Sequence, residues 1–245
     1  MTGTLYGIGL GPGDPELLTL KALRILRGVP VVAYPAPDTG PSFARSIVDG
    51  HLARSQVELP IVVPMRVETQ PAQAVYDRAA EAIAGHLSAG RDVGLLCEGD
   101  PFFYGSFMYL FERLADRFPT EIVPGIASVH AASAAARRPL ASRNACVAIL
   151  PAPLEDEVLR VRIAAADSFA IIKLGRHYPR IRALLDELDL TAHCTYCERV
   201  GLASERVLPL AEVTGAVPYF SLILGSGGAA RASGDLAGGV PVVPR

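Results

Sequence analysis

Two glycine- and proline-rich turns govern how this chain must fold. The first, Gly7-Ile8-Gly9-Leu10-Gly11-Pro12-Gly13-Asp14-Pro15, continues a short apolar run that begins at Leu5, and the second, Cys97-Glu98-Gly99-Asp100-Pro101-Phe102-Phe103-Tyr104-Gly105, follows Val93–Leu96. A short apolar run that ends in glycine and proline reads as a buried strand turning into a helix. On that reading Asp14 and Asp100 are N-caps, with Pro15 and Pro101 at the first helical position. Capping leaves the glycines at 7, 9, 11 and 13 without a reason. Glycine also lets a ligand reach the backbone with no Cβ in the way, and a helix start offers it unpaired N–H groups. The two turns therefore point to a small-molecule site walled by backbone, and so to an enzyme rather than a scaffold.

Neither turn is a nucleotide signature. A dinucleotide fingerprint counted from Gly7 meets Pro12 where its third glycine belongs, and counted from Gly9 it meets Asp14. A phosphate loop of the Gly-Lys-Ser/Thr type is absent from the sequence. Both common phosphate-binding readings fail on spacing.

Strand and helix patterns alternate along the whole chain. Strands are expected at Leu5–Gly9, Val29–Tyr34, Val57–Val63 and Val93–Cys97, and helices at Pro15–Arg27, Ser42–Leu52, Ala72–Ser88 and Tyr104–Phe118. This order predicts an α/β domain over residues 1–120, closed by the run Glu121–Ile126. A second α/β domain is expected over 126–245, opening with an alanine-rich helix at Ser128–Ala136. Its strands are expected near Ala145–Leu150, Ser168–Lys173, His193–Arg199 and Tyr219–Leu224, and its helices at Leu154–Ala166 and Tyr178–Leu188. Less regular spacing there suggests a mixed sheet. The Gly/Ala/Ser-rich segment Gly225–Val240 is expected to be loop. Ligands of such sheets sit outside the carboxyl ends of the strands. Both glycine turns, Pro124-Gly125 and Leu174-Gly175-Arg176-His177 fall there, so a cleft between the domains is the expected site.

Composition narrows the function further. A net charge of −2 and no tryptophan offer neither a field nor a stacking platform for nucleic acid. No apolar run is long enough for a membrane span, and the start of the chain does not resemble a signal peptide. Cys97, Cys146, Cys194 and Cys197 are sparse, which suits a reducing cytoplasm. Cys194-Thr195-Tyr196-Cys197 lacks the second pair that a zinc site wants, and on a strand its thiols face opposite sides. No metal is expected.

At this point the motifs match a known family. Gly11-Pro12-Gly13-Asp14 with Leu17-Leu18-Thr19-Leu20-Lys21-Ala22 resembles the opening of the tetrapyrrole methyltransferases, the third structural class of S-adenosylmethionine (SAM) enzymes. Glu98-Gly99-Asp100-Pro101 and Pro124-Gly125-Ile126-Ala127-Ser128 resemble that family's second and third motifs. The likeness runs in order through all but the C-terminal tail. The stretch Glu98–Phe107, with Glu198-Arg199-Val200-Gly201 and Pro218-Tyr219-Phe220-Ser221, resembles the branch that methylates C20 of precorrin-2 in corrin biosynthesis. The resemblance implies two α/β domains of the tetrapyrrole methylase type, a cytoplasmic homodimer, and SAM as methyl donor. By position it implies that Pro12, Glu98, Gly99, Asp100, Phe103, Ala127, Ser128, Leu174 and Val200 contact SAM. The first glycine loop, with Gly11, Gly13 and Asp14, would face the tetrapyrrole. Methylases acting on uroporphyrinogen carry an Asp directly after the second-strand tyrosine, but here Tyr34 is followed by Pro35. That departure suits a nucleophilic meso carbon that needs less activation. Methylation of cobalt-factor II, or a same-fold methylase with a macromolecular substrate, stays open as an alternative.

A carboxylate-rich macrocycle calls for cations around an apolar cleft. Arg137, Arg138 and Arg143 are the first choice for a substrate rim, since guanidinium pairs bidentately with carboxylate. Arg45 and Arg66 are weaker choices, and Lys173, Arg176 and His177 flank a strand end. His130, beside the third motif, reads as a packed helix residue, and Met65, Met108 and the Phe102–Phe111 aromatics as core or cleft lining. Glu98, Tyr104 or His177, or water, is expected to take the proton that leaves C20.

Overall fold

The computed structural model describes residues 1–63 and 69–228. The chain divides into two compact units, Met1–Ala127 and Ser128–Arg245. Both are α/β, as the alternation of strand and helix patterns requires.

Unit 1 is built on β1 (Leu5–Gly9), β2 (Val31–Ala36), β3 (Val57–Val62), β4 (Val93–Cys97) and β5 (Thr120–Val123), in the order β3-β2-β4-β1-β5. Every pairing is parallel, because helical crossovers separate the strands: α1 (Leu20–Gly28), α2 (Phe43–Ile47), α3 (Thr69–Ser88) and α4 (Phe107–Leu114). Alternate strand residues serve the two faces. Leu5, Val31, Ala33 and Leu95 pack against Ile83 and Leu87 of α3 and Phe107 and Leu110 of α4. Ile8, Val32, Tyr34 and Leu96 pack against α1 and α2 through Ala22, Leu26, Ala44 and Ile47. With both faces covered, β4 is buried along its whole length, which is why it reads as an unbroken apolar run.

Unit 2 opens with α5 (Ser128–Ala135) and continues with β6 (Val147–Pro151), α6 (Asp156–Ala165), β7 (Ser168–Ile172), α7 (Tyr178–Glu187), β8 (Cys194–Glu198), β9 (Arg206–Pro209) and β10 (Ser221–Ser226). The strand order is β6-β7-β10-β8-β9. Only β6 and β7 run parallel, and the other pairs are antiparallel, so the sheet is mixed. Its core gathers Phe169, Ile171, Tyr196 and Ile223 from the strands with Leu159, Ile181 and Leu185 from the helices.

The structure corrects several local expectations. Pro101 does not open a helix: α4 begins at Phe107, and Tyr104 has a φ of +58°, outside the right-handed helical region. The first turn leads into a single 3₁₀ turn, Pro15–Leu17, with Pro15 at its first position and Asp14 capping Glu16 N at 2.9 Å. The α-helix then starts afresh at Leu20, capped by Thr19. The expected helix over Ser42–Leu52 is α2 followed by a 3₁₀ turn at Asp49–His51. Strand β9 was not expected, being four residues long on a sheet edge. Gly225 and Ser226 belong to β10 rather than to a loop. Met65, Arg66 and the tail from residue 229 lie outside the described residues.

Candidate active site

In unit 1, the turns after β1, β4 and β5 lock together through backbone. Leu10 N donates to Cys97 O at 2.9 Å, and Gly11 and Gly99 exchange N–H···O bonds of 3.2 and 2.7 Å across an isolated antiparallel bridge. Both glycines have positive φ, +77° and +67°, which suits glycine and strains other residues. Gly9 and Gly125 meet back to back. A Cβ on Gly125 would lie 2.0 Å from Gly99 O, and one on Gly9 would lie 2.5 Å from Gly125 N. A Cβ on Gly7 would enter the Phe107 ring at 2.5 Å. Packing within the protein therefore accounts for Gly7 and Gly9, which the sequence had assigned to a ligand. The Gly11–Gly99 bridge is different: a Cβ on Gly99 would meet nothing closer than Ala127 Cα at 3.9 Å. Such a Cβ would make ordinary van der Waals contact, so at Gly99 it is the positive φ that calls for glycine.

Carboxylates staple these turns. Asp100 takes Phe102 N through Oδ1 at 2.9 Å and Gly125 N through Oδ2 at 3.0 Å, tying the β4 turn to the β5 turn. Glu98, partly buried, accepts from its own N–H and from Ala44 N. Burial pushes its carboxyl above the usual range, and those two N–H groups pull it back only in part. Tyr76, on α3, is buried at 6% exposure, hydrogen-bonds Ser106 and feels the Glu98 charge. Tyr104 projects from this loop at 41% exposure, its ring edge-on to Phe103 at 5.0 Å.

In unit 2, the ends of β7 and β8 share one conformational pattern. Lys173 (φ +61°), buried Leu174 and Gly175 (φ +40°) follow β7; Arg199 (φ +49°), buried Val200 and Gly201 (φ +83°) follow β8. A left-handed lysine or arginine is strained, and such strain gathers where function needs it. Strand β10 lies between β7 and β8 and runs the other way, so its start reaches this same end. There Tyr219 and Phe220 stand 52% and 48% exposed, ring centroids 5.5 Å apart. Arg199 N bonds Phe220 O at 2.9 Å, and a Cβ on Gly175 would lie 3.5 Å from Tyr219 Cα. The result is an aromatic pair between two cationic turns. Burial lowers the Lys173 ammonium below the ordinary lysine range.

The family model described as Tetrapyrrole (Corrin/Porphyrin) Methylases matches residues 4–214. The chain belongs to the tetrapyrrole methylases. It is 45% identical over 250 residues to the cobalamin biosynthesis protein CobIJ of Mycobacterium tuberculosis H37Rv, a match covering 98% of this chain and 49% of that protein. The chain thus spans about half the length of that relative. It is 39% identical over 231 residues to a precorrin-2 C(20)-methyltransferase of Sinorhizobium sp, covering 91% of this chain and 94% of the relative. Among solved structures, uroporphyrin-III C-methyl transferase of Thermus thermophilus complexed with S-adenyl homocysteine superposes with a TM-score of 0.67 at 26% identity, covering 91% of this chain and 92% of that one.

Against this tetrapyrrole methylase fold, the expected site residues separate into groups. Gly11, Glu98, Gly99, Asp100 and Ala127 come together in unit 1, with Pro12, Gly13, Asp14 and Phe103 on the same turns. Leu174 and Val200 lie at the shared end of β7 and β8 in unit 2. Ser128 and His130 are exposed on α5, so His130 is not a packed residue. The three arginines expected as a substrate rim lie elsewhere in unit 2. Arg138 donates to His193 O at 2.8 Å and Ser226 Oγ at 2.7 Å, and Leu140 O accepts from Ser168 Oγ. Those partners mark the start of β7 and β8 and the end of β10, so Arg137, Arg138 and Arg143 sit at the opposite end of the unit 2 sheet from Leu174 and Val200. Arg45 is held by Glu58 at 2.8 and 3.0 Å and by Asp49. His177 lines a hollow on the β6 side with Leu154, Glu155, Asp156, Glu157 and Arg180. Burial and the neighbouring Arg176 and Arg180 hold its imidazole below the ordinary histidine range, hence neutral. Burial pushes the Cys194 and Cys197 thiols up to about 12, which leaves no thiolate for chemistry. Among the described residues no cluster of metal ligands occurs, and no helix is long and apolar enough to cross a membrane.

Sequence reasoning used the Tyr219–Phe220 pair only as part of a family-like stretch and placed Lys173 only at a strand end, without joining the two. Two adjacent aromatics at a strand start were the available signal. The left-handed turns left none, because lysine and arginine carry no mark for positive φ.

Proposed function

We propose that this tetrapyrrole methylase transfers a methyl group from SAM to C20 of precorrin-2. The observation that carries the reading is the likeness to the Sinorhizobium precorrin-2 C(20)-methyltransferase, which extends over nearly the full length of both chains. The residues present fit the donor. Gly99 carries no Cβ and is only partly buried, so a ligand can approach its backbone, and Leu174 and Val200 are taken for the adenine end from the family resemblance alone. In unit 1 we propose Pro12, Glu98, Gly99, Asp100, Phe103 and Ala127 as donor contacts; for unit 2 the family resemblance implies Ser128, Leu174 and Val200. Gly11, Gly13 and Asp14 face the macrocycle.

Bound SAM supplies a sulfonium methyl to the electron-rich C20, the S–CH₃ bonding pair staying with sulfur as S-adenosylhomocysteine leaves. The chain's own work is to hold the two reactants in line and keep water out. Its second task is to take the proton from C20. Glu98 is committed to its own N–H and that of Ala44 in α2, and His177 to the hollow on the β6 side, while Tyr104 lies on the β4 turn at 41% exposure. Lys173 suits the task best: desolvation favours its neutral amine, and its turn adjoins the exposed aromatic pair. Tyr219 and Phe220 offer ring faces to the macrocycle, and Arg199 and Arg176 offer charge to its carboxylates. A cytoplasmic homodimer completes the reading, to be tested by light scattering in solution.

The test is anaerobic ¹³C NMR with methyl-labelled SAM and metal-free precorrin-2. A new labelled methyl on C20 is the expected outcome. Transfer only to cobalt-factor II would move the enzyme to the metal-loaded substrate, and no transfer to either would overturn the substrate.

A further inference from the structure

Glu198 is the only charged residue buried among the described residues, at 3% exposure, and the transfer chemistry above does not use it. It ends β8, paired in register with Ser221 of β10 and Arg206 of β9. Tyr196, fully buried two residues earlier and so on the same face of the strand, donates its hydroxyl to Glu198 Oε2 at 2.5 Å. Arg206 Nη1 donates to Oε1 at 3.2 Å, and Arg199 Nη1 stands 3.9 Å from that oxygen. Ser221 in turn hydrogen-bonds the Tyr196 side chain. Three strands thus close around one carboxylate, both of whose oxygens are engaged. Taking a carboxylate out of water is tolerated only with such partners.

The next three residues form the strained turn Arg199-Val200-Gly201. Its remaining ties are Arg199 N to Phe220 O at 2.9 Å, Leu202 N to Arg199 O at 3.0 Å and Gly201 N to Glu205 Oε2 at 2.9 Å. Backbone in a disfavoured region persists only where its surroundings over-determine it. The Glu198 cluster is the fixed point from which this turn departs.

We propose that Glu198 is a positioning residue for donor binding, clamping the end of β8 between β9 and β10 so that Val200 is presented in one conformation. It acts through Val200 without touching the donor, and the proposal rests on the reading of Val200 given above. A carboxylate that only stabilised the core would shift the melting temperature and leave the affinity of the folded protein alone. A positioning residue shifts affinity as well.

The experiment is calorimetric titration of the purified full-length chain with SAM, alongside steady-state kinetics. In Glu198→Ala the SAM Kd and KM should rise about tenfold, the size expected for losing a charge-assisted hydrogen-bonding centre. Turnover at saturating SAM and the tetrapyrrole KM should stay within about twofold of wild type. Glu198→Gln, which can still accept from Tyr196, should recover part of the affinity. Tyr196→Phe and Arg206→Ala each remove a single partner, so they decide the matter if Glu198→Ala does not fold; each should weaken SAM about threefold. Unchanged SAM affinity in both, with a lowered melting temperature, would overturn the proposal. Failure of the wild type to bind SAM would remove the reading of Val200 itself, and would be seen before any variant was made.

Discussion

The strand-end turns of the two units are held by different chemistry. In unit 1, acids and glycine do the holding: Asp100 spans two turns, Glu98 a third, and Gly9 and Gly125 touch backbone to backbone. In unit 2, cations stand where glycine would be easier: Lys173 and Arg199 occupy left-handed backbone beside an exposed aromatic pair. The first arrangement spends its polar side chains on architecture and leaves backbone for a ligand. The second sets half-buried Lys173 and exposed Arg199 beside the exposed aromatic pair. The comparison teaches that the glycine turns of unit 1 owe much of their sequence to backbone packing, whereas unit 2 reaches left-handed backbone with cations as well as glycine.

The largest effect should come from the backbone contact in unit 1. Gly125→Ala forces a Cβ to 2.0 Å from Gly99 O, where no side chain can yield, and should cost about 3 kcal/mol in urea unfolding. Gly28→Ala is the control. Nothing lies within 4 Å of its Cβ and its φ is not positive, so it should be neutral or stabilise by about 0.5 kcal/mol. Equal stability of the two variants would break the account of unit 1.

Asp100→Ala should come next. It leaves Gly125 N and Phe102 N without their acceptor and should cost about 2 kcal/mol, with SAM affinity falling alongside as the turns part. Asp100→Asn keeps one acceptor and should lie between. Full SAM affinity in a destabilised Asp100→Ala would show the anchor to be separable from the donor site.

Lys173→Met reverses the pattern. It should leave unfolding within about 0.5 kcal/mol of wild type, yet lower turnover by at least tenfold if the amine takes the C20 proton. Because burial lowers the Lys173 ammonium, the wild-type rate should rise with pH on a limb placed below the ordinary lysine range. Retention of that limb in Lys173→Met would assign the proton to another group.

These contrasts also mark what was legible in the sequence. Most strands of both units, the Asp14 cap and the mixed second sheet follow from periodicity and turn chemistry, and the family chiefly from motifs carried on the unit 1 turns. The helix expected at Tyr104 was misplaced because one left-handed tyrosine overrides a run of good helix formers. The surroundings of the three arginines were not legible because cations that follow a helix look alike in sequence, and only tertiary contacts turn Arg138 towards His193 and Ser226. Strand β9 escaped because an edge strand of four residues carries no pattern of its own, although it delivers Arg206 to Glu198.

The smallest expected effect concerns His177, and it sharpens the comparison by asking whether every titratable group near the unit 2 strand ends belongs to the site. Burial, with Arg176 and Arg180, holds this imidazole below its ordinary range. In the unfolded chain it takes a proton near its usual value of about 6.5, while in the folded chain it takes one only at lower pH. The unfolded state therefore binds more protons as pH falls through that window, and folding stability drops with it. His177→Gln removes the titration. Its melting temperature should fall less than that of wild type between pH 7.5 and 5.5, while turnover at pH 7.5 should stay near wild type, since the side chain lines the hollow on the β6 side rather than the aromatic pair. A large loss of turnover would return His177 to the site and extend the reactive surface of unit 2 past β7.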